Sequence, residues 1–322
     1  MVRIGTWNLE NLFRPGDEGG PTSEPAYRAK LDSLARTITD IEPDVLAVQE
    51  VGNPDALADL AATVGGGWNV ETAPVLANER PIRVGFLSRL PLTDVGPVSA
   101  FPPGFAPVQV DDDAPPVPAM ARAALRARVD VAGRALDLVT CHLKSKLLSY
   151  PPGPGGRPRF APRDEGERAR YGFYALARRA AEAATVRAEA TRLLGDLGRE
   201  RAVVVLGDLN DVPDAATTQI LYGPPGSEIG TAGFADPDRG EQQRLWKLAA
   251  RIPADQRFSR RYRGRDELID HILVSHAVVM VVRDGQVRTD GTGPMPSVDD
   301  DPGTRRDAPG SDHRPVVARI DL

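Results

Sequence analysis

The sequence predicts an α/β fold in which mixed β-sheets pack face to face with helices outside, built as one continuous domain over residues 1–322. Three observations predict it. Short strand-like runs outnumber helical stretches. The helical stretches precede central strands while several strand pairs are adjacent in sequence, a pattern that calls for layered sheets and helices around a shared core. No linker-like change in composition divides the chain.

Taken in order, Arg3 to Trp7 reads as the first strand. Tyr27 to Ile41 is helical, with Leu31, Leu34, Ala35 and Ile38 on one face. Asp44 to Gln49, centred on Val45-Leu46-Ala47-Val48, is the second strand. Asn53-Pro54 supplies an N-cap followed by proline at the first helical position, opening a helix to Val64 that stops at Gly65-Gly66-Gly67. Ile82 to Ser88, Ala123 to Val131 and Ala135 to Cys141 follow as strands. Asp164 to Leu197 is a long helical stretch, with a break expected near Gly172 and stops at Gly195 and Gly198. Ala202 to Leu206 is apolar throughout, the mark of a strand buried on both faces. Leu268 to Val274, Val278 to Val282 and Pro315 to Ile320 complete the set. Irregular segments at 99–120, 149–163 and 285–310 interrupt it, and loops this long are usually functional or disordered. The acidic runs Asp111 to Asp113 and Asp299 to Asp301 read as solvated loop, because neither has the alternating spacing of a calcium-binding loop.

Composition bounds the function. No window approaches the roughly 18 continuous apolar residues of a membrane span. Met1 to Trp7 runs straight into a strand instead of a basic start and an apolar leader core, so a cytoplasmic location is expected. The single cysteine, Cys141, leaves no internal disulfide and no cysteine-based zinc site, and its apolar neighbours suit a buried packing thiol. A net charge of −5 provides no global attraction to nucleic acid, so binding of that kind would need a local basic rim.

Polar clusters stand where strand-like runs end: Asn8-Leu9-Glu10, Gln49-Glu50, His142, Gly207-Asp208-Leu209-Asn210, Asp270-His271 and Asp312-His313. Carboxylates, amides and histidines in such positions suit metal-assisted hydrolysis of a phosphodiester. That reaction needs charge neutralisation on phosphate, an activated water and a protonated leaving oxygen. Hard divalent cations take oxygen ligands, for which Glu50, Asn8 or Glu10, and Asp312 are candidates. Asp208 and Asn210 would face one pocket if their turn stays extended. His313 titrates near neutrality and needs an orienting carboxylate. Strand alternation makes Asp312 a poor partner and Asp270 a better one. His271, on the opposite face from Asp270, and His276 are read as packing or solvent residues.

Thr6-Trp7-Asn8-Leu9-Glu10, Val48-Gln49-Glu50, Gly207-Asp208-Leu209-Asn210-Asp211, Ile269-Asp270-His271-Ile272 and Ser311-Asp312-His313-Arg314-Pro315 together resemble the motif series of the endonuclease/exonuclease/phosphatase superfamily, whose fold is DNase I-like. The resemblance runs from end to end in the family's order. It implies a four-layer α/β sandwich of two mixed, mainly antiparallel sheets and phosphoester hydrolysis dependent on Mg²⁺ or Mn²⁺, with Ca²⁺ as an alternative structural or co-activating ion. It further implies that Glu50, Asn8, Glu10 and Asp312 form the metal site, and that Asp208 and Asn210 lie at the reacting phosphate. His313 would be the catalytic histidine oriented by Asp270, and His142 the second histidine, assigned to protonation of the leaving group.

For the substrate, Lys144 and Lys146 directly follow His142, and Arg83 precedes a family-like strand; a surface salt bridge is the competing reading for Arg83. Arg157, Arg159, Arg163, Arg168 and Arg170 alternate with Tyr150, Phe160, Tyr171, Phe173 and Tyr174. Arg257, Arg260, Arg261, Arg263 and Arg265 accompany Phe258 and Tyr262. Basic residues interleaved with aromatics suit a nucleic-acid backbone with stacked bases. The expectation is therefore a nuclease acting on DNA, with no membrane and no obligate protein partner. A small-molecule or lipid phosphoesterase of the same fold is the alternative, and a non-catalytic binding module is the more distant one.

Overall fold

The structure, a computed structural model, describes residues 1–76, 81–153, 159–222, 229–236, 239–290, 295–299 and 302–322. Its strands are β1 (Val2–Leu12), β2 (Val45–Val51), β3 (Asn69–Thr72), β4 (Arg83–Ser88), β5 (Thr93–Ala100), β6 (Ala119–Val131), β7 (Arg134–His142), β8 (Ala202–Asp208), β9 (Trp246–Lys247), β10 (Arg260–Tyr262), β11 (Arg265–Glu267), β12 (Asp270–Val274), β13 (Val287–Thr289), β14 (Ser297–Val298) and β15 (Val316–Ile320). The α-helices are α1 (Glu24–Ile41), α2 (Pro54–Val64), α3 (Glu165–Leu194), α4 (Ala216–Tyr222) and α5 (His276–Val279).

Two six-stranded sheets carry the fold, in the orders β13-β15-β1-β2-β4-β3 and β5-β6-β7-β8-β12-β9. A small third sheet runs β11-β10-β14. Between the large sheets lies one apolar layer, with Ile4, Val45, Val84 and Phe86 from the first meeting Leu138, Val204, Leu206 and Ile272 from the second. The outer face of the first sheet, through Leu46, Val48 and Leu87, is covered by Leu34, Ile38, Leu57 and Leu60 of α1 and α2. The outer face of the second, through Val139, Val203, Val205 and Leu273, is covered by Val186, Ala190 and Leu194 of α3 and Leu221 of α4. This is the four-layer α/β sandwich. The all-apolar run of β8 follows from its place in the second sheet, where both faces are covered. Each fully buried Leu or Val in these layers is worth roughly 1.5–3 kcal/mol of transfer free energy.

Local chemistry sets the helix ends. Ser23 Oγ accepts from the Ala26 amide at 3.3 Å, so α1 starts three residues before Tyr27. Asn53 caps α2 through Asp55 N at 2.9 Å, and Asp164 caps α3 through Glu167 N at 2.8 Å. Among the described residues, no helix is long and apolar enough to cross a membrane.

The structure corrects three expectations. Helix α3 passes through Gly172 without a break, on a side where an added Cβ would meet nothing within 4 Å. The predicted strand Val278–Val282 is instead a single helical turn, α5, with Ala277, Val278 and Val279 buried. A β-branched run this short carries no period, and tertiary packing decides its conformation. The segment expected to be irregular at 285–310 contains the short strands β13 and β14, and an unpredicted edge strand, β5, runs into the one at 99–120; its Pro97 and polar residues hide it from pattern reading. Asp111 and Asp112 of the first acidic run hold the hydroxyls of Tyr171 and Tyr174, and Asp112 also pairs with Arg170. Asp300, Asp301 and Arg157 lie outside the described residues.

Candidate active site

Half of the site is assembled by strand register in the second sheet. His142, which ends β7, is the partner of Asp208, which ends β8, and Asp208 is the partner of Asp270, which starts β12. Directly paired residues on neighbouring strands share a face, so the three side chains project together. His142 Nε2 lies 3.5 Å from Asp208 Oδ2. The approach of β7 to β8 at this end requires glycine, because a Cβ on Gly207 would sit 2.0 Å from the Cys141 carbonyl oxygen.

The first sheet supplies the other half. Along β1, Ile4 enters the inter-sheet core, and alternation brings Asn8 to the same inner face. Asn8 Nδ2 donates to Asp208 Oδ2 at 3.0 Å and to Glu50 Oε1 at 3.2 Å. Gln49 already points inward, bridging Thr6 and Thr140 at 3.1 Å each, so simple alternation would send Glu50 outward. A register shift between Val48 and Val51, with φ of 60° at Glu50, turns the carboxylate back into the site. A matching shift in β1 holds Glu10 and Asn11 at φ of 51° and 54°, and the Asn11 amide donates to Glu50 Oε2 at 2.9 Å. Bulges re-aim side chains in this way, and left-handed backbone at non-glycine residues concentrates at functional sites.

His313 arrives from the segment before β15. Its Nδ1 is 2.7 Å from Asp270 Oδ2. Trp7 Nε1 donates to its carbonyl at 2.9 Å, its amide donates to Ser311 Oγ at 3.0 Å, and that hydroxyl donates to the Asn8 carbonyl at 2.6 Å. Ser259 Oγ accepts from the amides of both Ile269 and Asp270 at 3.1 Å, fixing the dyad's carboxylate from behind. Asp312 lies on the other side of the ring, with Oδ1 4.0 Å from His313 Nε2.

The electrostatics are those of a buried, acid-rich centre. Burial disfavours the imidazolium of His313, but Asp270 and Asp312 outweigh it and lift the group to about 10. Burial, reinforced by Asp270, raises Asp208 to about 7. His142 is held well below the ordinary histidine range by burial and then by Arg122. Glu10 is raised by burial, against its hydrogen bonds from Arg305. Lys30, buried on α1, is lowered by desolvation although Glu10, Asp312 and Glu50 all favour its charge, and its Nζ donates to the Gly310 carbonyl at 2.9 Å.

A divalent cation fits this donor set. Asp208, Asp270 and His313 bring ligand atoms within 4.8 Å of one another, and Asp270 Oδ1 is buried with no hydrogen-bond partner among the described residues. Glu50 and Asp312 add oxygen donors nearby, whereas Asn8, expected as a ligand, turns Nδ2 to the carboxylates while its Oδ1 accepts the Glu10 amide at 2.9 Å, so it orients the ligands instead. The His313–Asp270 hydrogen bond already occupies Nδ1 and Oδ2, so the oxygen-only group around Glu50 suits a hard cation better than the Asp-Asp-His group does.

Glu10, Glu50, His142, Lys144, Lys146, Asp208, Asn210, Asp312 and His313 all line one cleft of about 650 Å³. Asn8 and Asp270 support it from behind, buried at 1% and 0% exposure. Both aromatic-basic stretches reach the cleft, one through Tyr150, Phe160 and Arg168 and the other through Arg260 and Tyr262.

Several expectations change. Among the described residues Arg83 neither lines the cleft nor forms a salt bridge; it donates to the Gly52 and Pro81 carbonyls. Asn210 is not extended: with φ of 52° it turns back, its amide donating to Asp208 Oδ1 at 2.8 Å and its side chain to the Leu143 carbonyl at 2.9 Å. Glu10 is gripped by Arg305 through bonds of 2.6 and 2.8 Å, so it competes poorly as a ligand. The packing reading of His271 and His276 does not change: His271 is buried and meets the Asp211 carbonyl at 2.8 Å, and His276 lies against Trp246 and Glu241.

Sequence reasoning missed Lys30, Arg305, Arg122 and Arg178. Lys30 carried a signal, a lysine one turn from Tyr27 and from Leu34 within the apolar stripe of α1. Arg305 sits in an irregular segment and carried none.

No curated protein matches the chain. Among solved structures, TDP2 from Caenorhabditis elegans superposes with a TM-score of 0.56 at 13% identity, covering 99% of this chain and 96% of that one. D. rerio TDP2 complexed with single-strand DNA product gives 0.55 at 14%, covering 100% and 99%. A 3'-5' exonuclease from Neisseria meningitidis gives 0.50 at 20%, covering 100% of each chain. These likenesses establish the fold. The family model described as Endonuclease/Exonuclease/phosphatase family matches residues 5–313, a span that opens in β1 and ends on the histidine of the dyad, and the chain belongs to that family.

Proposed function

We propose that the chain is a divalent-metal-dependent phosphodiesterase that cleaves nucleic acid, with DNA the favoured substrate. One observation carries the reading: a buried His313–Asp270 pair, an Asn8-linked Glu50–Asp208 pair and His142 open onto a single cleft with basic and aromatic walls. Glu50 and Asp312 would hold the cation, with Asn8 orienting Glu50 through its Nδ2 and Glu10 a weaker participant because of Arg305. The cation supplies charge neutralisation at phosphate and lowers the pKa of water.

The chain's own groups do the rest. Asp270 fixes the His313 ring so that Nε2 faces the cleft; Asp312 helps hold the imidazolium in the metal-free protein, and with Asp312 engaged as a ligand Nε2 would be released to take a proton from water. Asp270 and Asp208 favour the imidazolium that results. Asp208 and Asn210, locked by the Asn210 turn, position the phosphate. His142, neutral in the free protein, would be charged by the approach of the phosphate anion and then donate its proton to the leaving oxygen. Tyr150, Phe160 and Tyr262 offer faces on which bases stack. The solved D. rerio TDP2 complex with single-strand DNA product supports a nucleic-acid substrate for this fold.

The test is an activity panel with Mg²⁺ and Mn²⁺ on supercoiled DNA, single-stranded DNA, RNA, abasic duplex, bis-p-nitrophenyl phosphate and an inositol phosphate. Cleavage of DNA that is abolished by chelation is expected. Turnover confined to the small esters would replace the reading with a small-molecule phosphoesterase, and no turnover on any substrate would replace it with a binding module.

A further inference from the structure

Beside His142 the cleft wall is strongly cationic in a way that the hydrolytic groups do not use. Arg122 Nε donates to the His142 carbonyl at 3.1 Å and its Nη2 to the Leu143 carbonyl at 2.9 Å. Lys144 Nζ donates to the Ser145 and Leu147 carbonyls at 3.1 and 3.0 Å. Among the described residues neither cation forms an ion pair with a carboxylate. Arg178, Arg179 and Lys146 stand close by, and among the described residues Glu182 and Asp211 are carboxylates that contact this wall. Glu182 pairs with Arg178 at 3.4 Å but gives its shortest bonds to backbone amides, Lys144 N at 2.6 Å and Ala121 N at 2.9 Å. Asp211 is shared between Lys146 at 3.1 Å and Arg179 at 3.3 Å. Arg122, Lys144, Lys146 and Arg178 all line the cleft.

Partly buried cations such as Arg122 and Lys144, held against carbonyl oxygens and among the described residues in no ion pair, are poised for an anion from outside. The cost of desolvating them is met in the free protein, and a bound phosphate recovers it through charge-assisted hydrogen bonds. The mutual repulsion is visible in Lys144, which burial and then Arg122 push down to about 8. The backbone of 142–144 is pinned by Arg122, by Glu182 and by Arg179, whose Nη1 donates to the Lys144 carbonyl at 3.0 Å. The cations therefore stand in fixed relation to His142.

We infer that Arg122 and Lys144 form a second anion subsite, on the His142 side of the cleft, that takes the phosphate next to the one being cleaved. The subsite rests on the phosphodiesterase reading and narrows its substrate to a polynucleotide strand, since an isolated phosphodiester leaves these cations unmatched.

The test separates binding from turnover. A fluorescent trinucleotide is titrated against the protein in EDTA by anisotropy, with each phosphate replaced in turn by a neutral methylphosphonate. Wild-type protein should lose roughly tenfold in affinity at one linkage, as expected for removal of a charge-assisted contact. Arg122→Gln/Lys144→Gln should bind the all-phosphate strand roughly tenfold more weakly and be indifferent to that linkage. Lys144→Gln alone gives the same comparison if the double variant does not fold. Equal affinity of wild type for all the strands, or undiminished discrimination in the variants, overturns the subsite. The linkage effect in a wild-type protein that hydrolyses no phosphodiester supports the subsite and sinks the phosphodiesterase reading instead.

Discussion

Asn8 reaches across the gap between the two large sheets to Asp208, Nδ2 to Oδ2 at 3.0 Å, and the same amide nitrogen meets Glu50 at 3.2 Å. One neutral donor thus holds two carboxylates from different sheets within hydrogen-bond reach of a single atom. Asn8→Asp would replace the donor with a third negative charge. We expect loss of metal-dependent hydrolysis by at least ~10²-fold and destabilisation of about 1–3 kcal/mol from the unpaired buried acceptors. Chemical denaturation with and without Mg²⁺ checks it. The destabilisation should shrink with the ion present, and an unchanged midpoint without metal would show that the bridge does not matter.

The His313–Asp270 bond makes a prediction that activity alone does not exhaust. Asp270→Asn preserves the size of the side chain but removes the charge that outweighs burial at His313. The imidazole should then titrate well below about 10, a shift read directly by NMR. Hydrolysis should fall ~10²–10⁴-fold, the range for a positioned acid or base. If the His313 resonance still titrates near its wild-type value, Asp270 is not what holds its proton.

Glu50 and Glu10 look equivalent as letters but not as ligands. Among the described residues Glu50 accepts only from Asn8 and the Asn11 amide, whereas both oxygens of Glu10 are taken by Arg305. Calorimetric titration with Mn²⁺ should show Glu50→Gln weakening binding at least roughly tenfold and Glu10→Gln only a few-fold, in line with loss of a direct against an indirect contact. The reverse order would make Glu10 the principal ligand and Arg305 a group that moves on metal binding.

The parts of this site that were legible in the sequence obey simple periods. Strand alternation separates His313 from Asp312 and points to Asp270, and the unbroken apolar run Ala202–Leu206 places Asp208 at the end of a central strand. What was not legible breaks a period or lies outside one. Glu50 faces the site because a bulge reverses its side, and nothing in Val48-Gln49-Glu50-Val51 announces a bulge. Asn210 needs a left-handed turn where its spacing from Asp208 suggested extension. Arg305 reaches Glu10 from nearly the opposite end of the chain, and Val278–Val282 is too short and uniform to choose between strand and helix.

Lys144 predicts a pH dependence of substrate binding. Burial, then the neighbouring Arg122, lowers its ammonium to about 8, so it is charged below that pH and neutral above it. Affinity for a short single strand should therefore fall as pH rises through about 8. Lys144→Arg keeps its charge throughout this range and should flatten the profile. Anisotropy titrations across this range in EDTA report binding without cleavage. A wild-type profile that stays flat would mean Lys144 does not contact the strand.

Glu167 predicts an acid-sensitive cleft wall. Its carboxylate, 1% exposed, receives Arg159 through bonds of 2.7 and 2.6 Å and Arg163 Nε at 2.9 Å. Hydrogen bonds from Arg159 dominate, and with Arg163 they overcome burial and hold the group well below the usual glutamate range. A depressed folded-state pKa contributes stability that is fully present above the unfolded value of about 4.3 and is lost as pH falls toward the folded value. Arg159 also pairs its backbone with Tyr150, and its guanidinium lies over the Tyr150 ring, 5.1 Å from the centroid. Loss of the Glu167 charge should therefore loosen Tyr150, an aromatic wall of the cleft, before the sheets themselves fail. Glu167→Gln should lower the Tm at neutral pH, and the gap to wild type should close as both are acidified below about 4. Proteolysis at neutral pH should cut the variant first between Ser149 and Arg163. A gap in Tm that stays constant down to acid pH would assign the destabilisation to packing instead of charge.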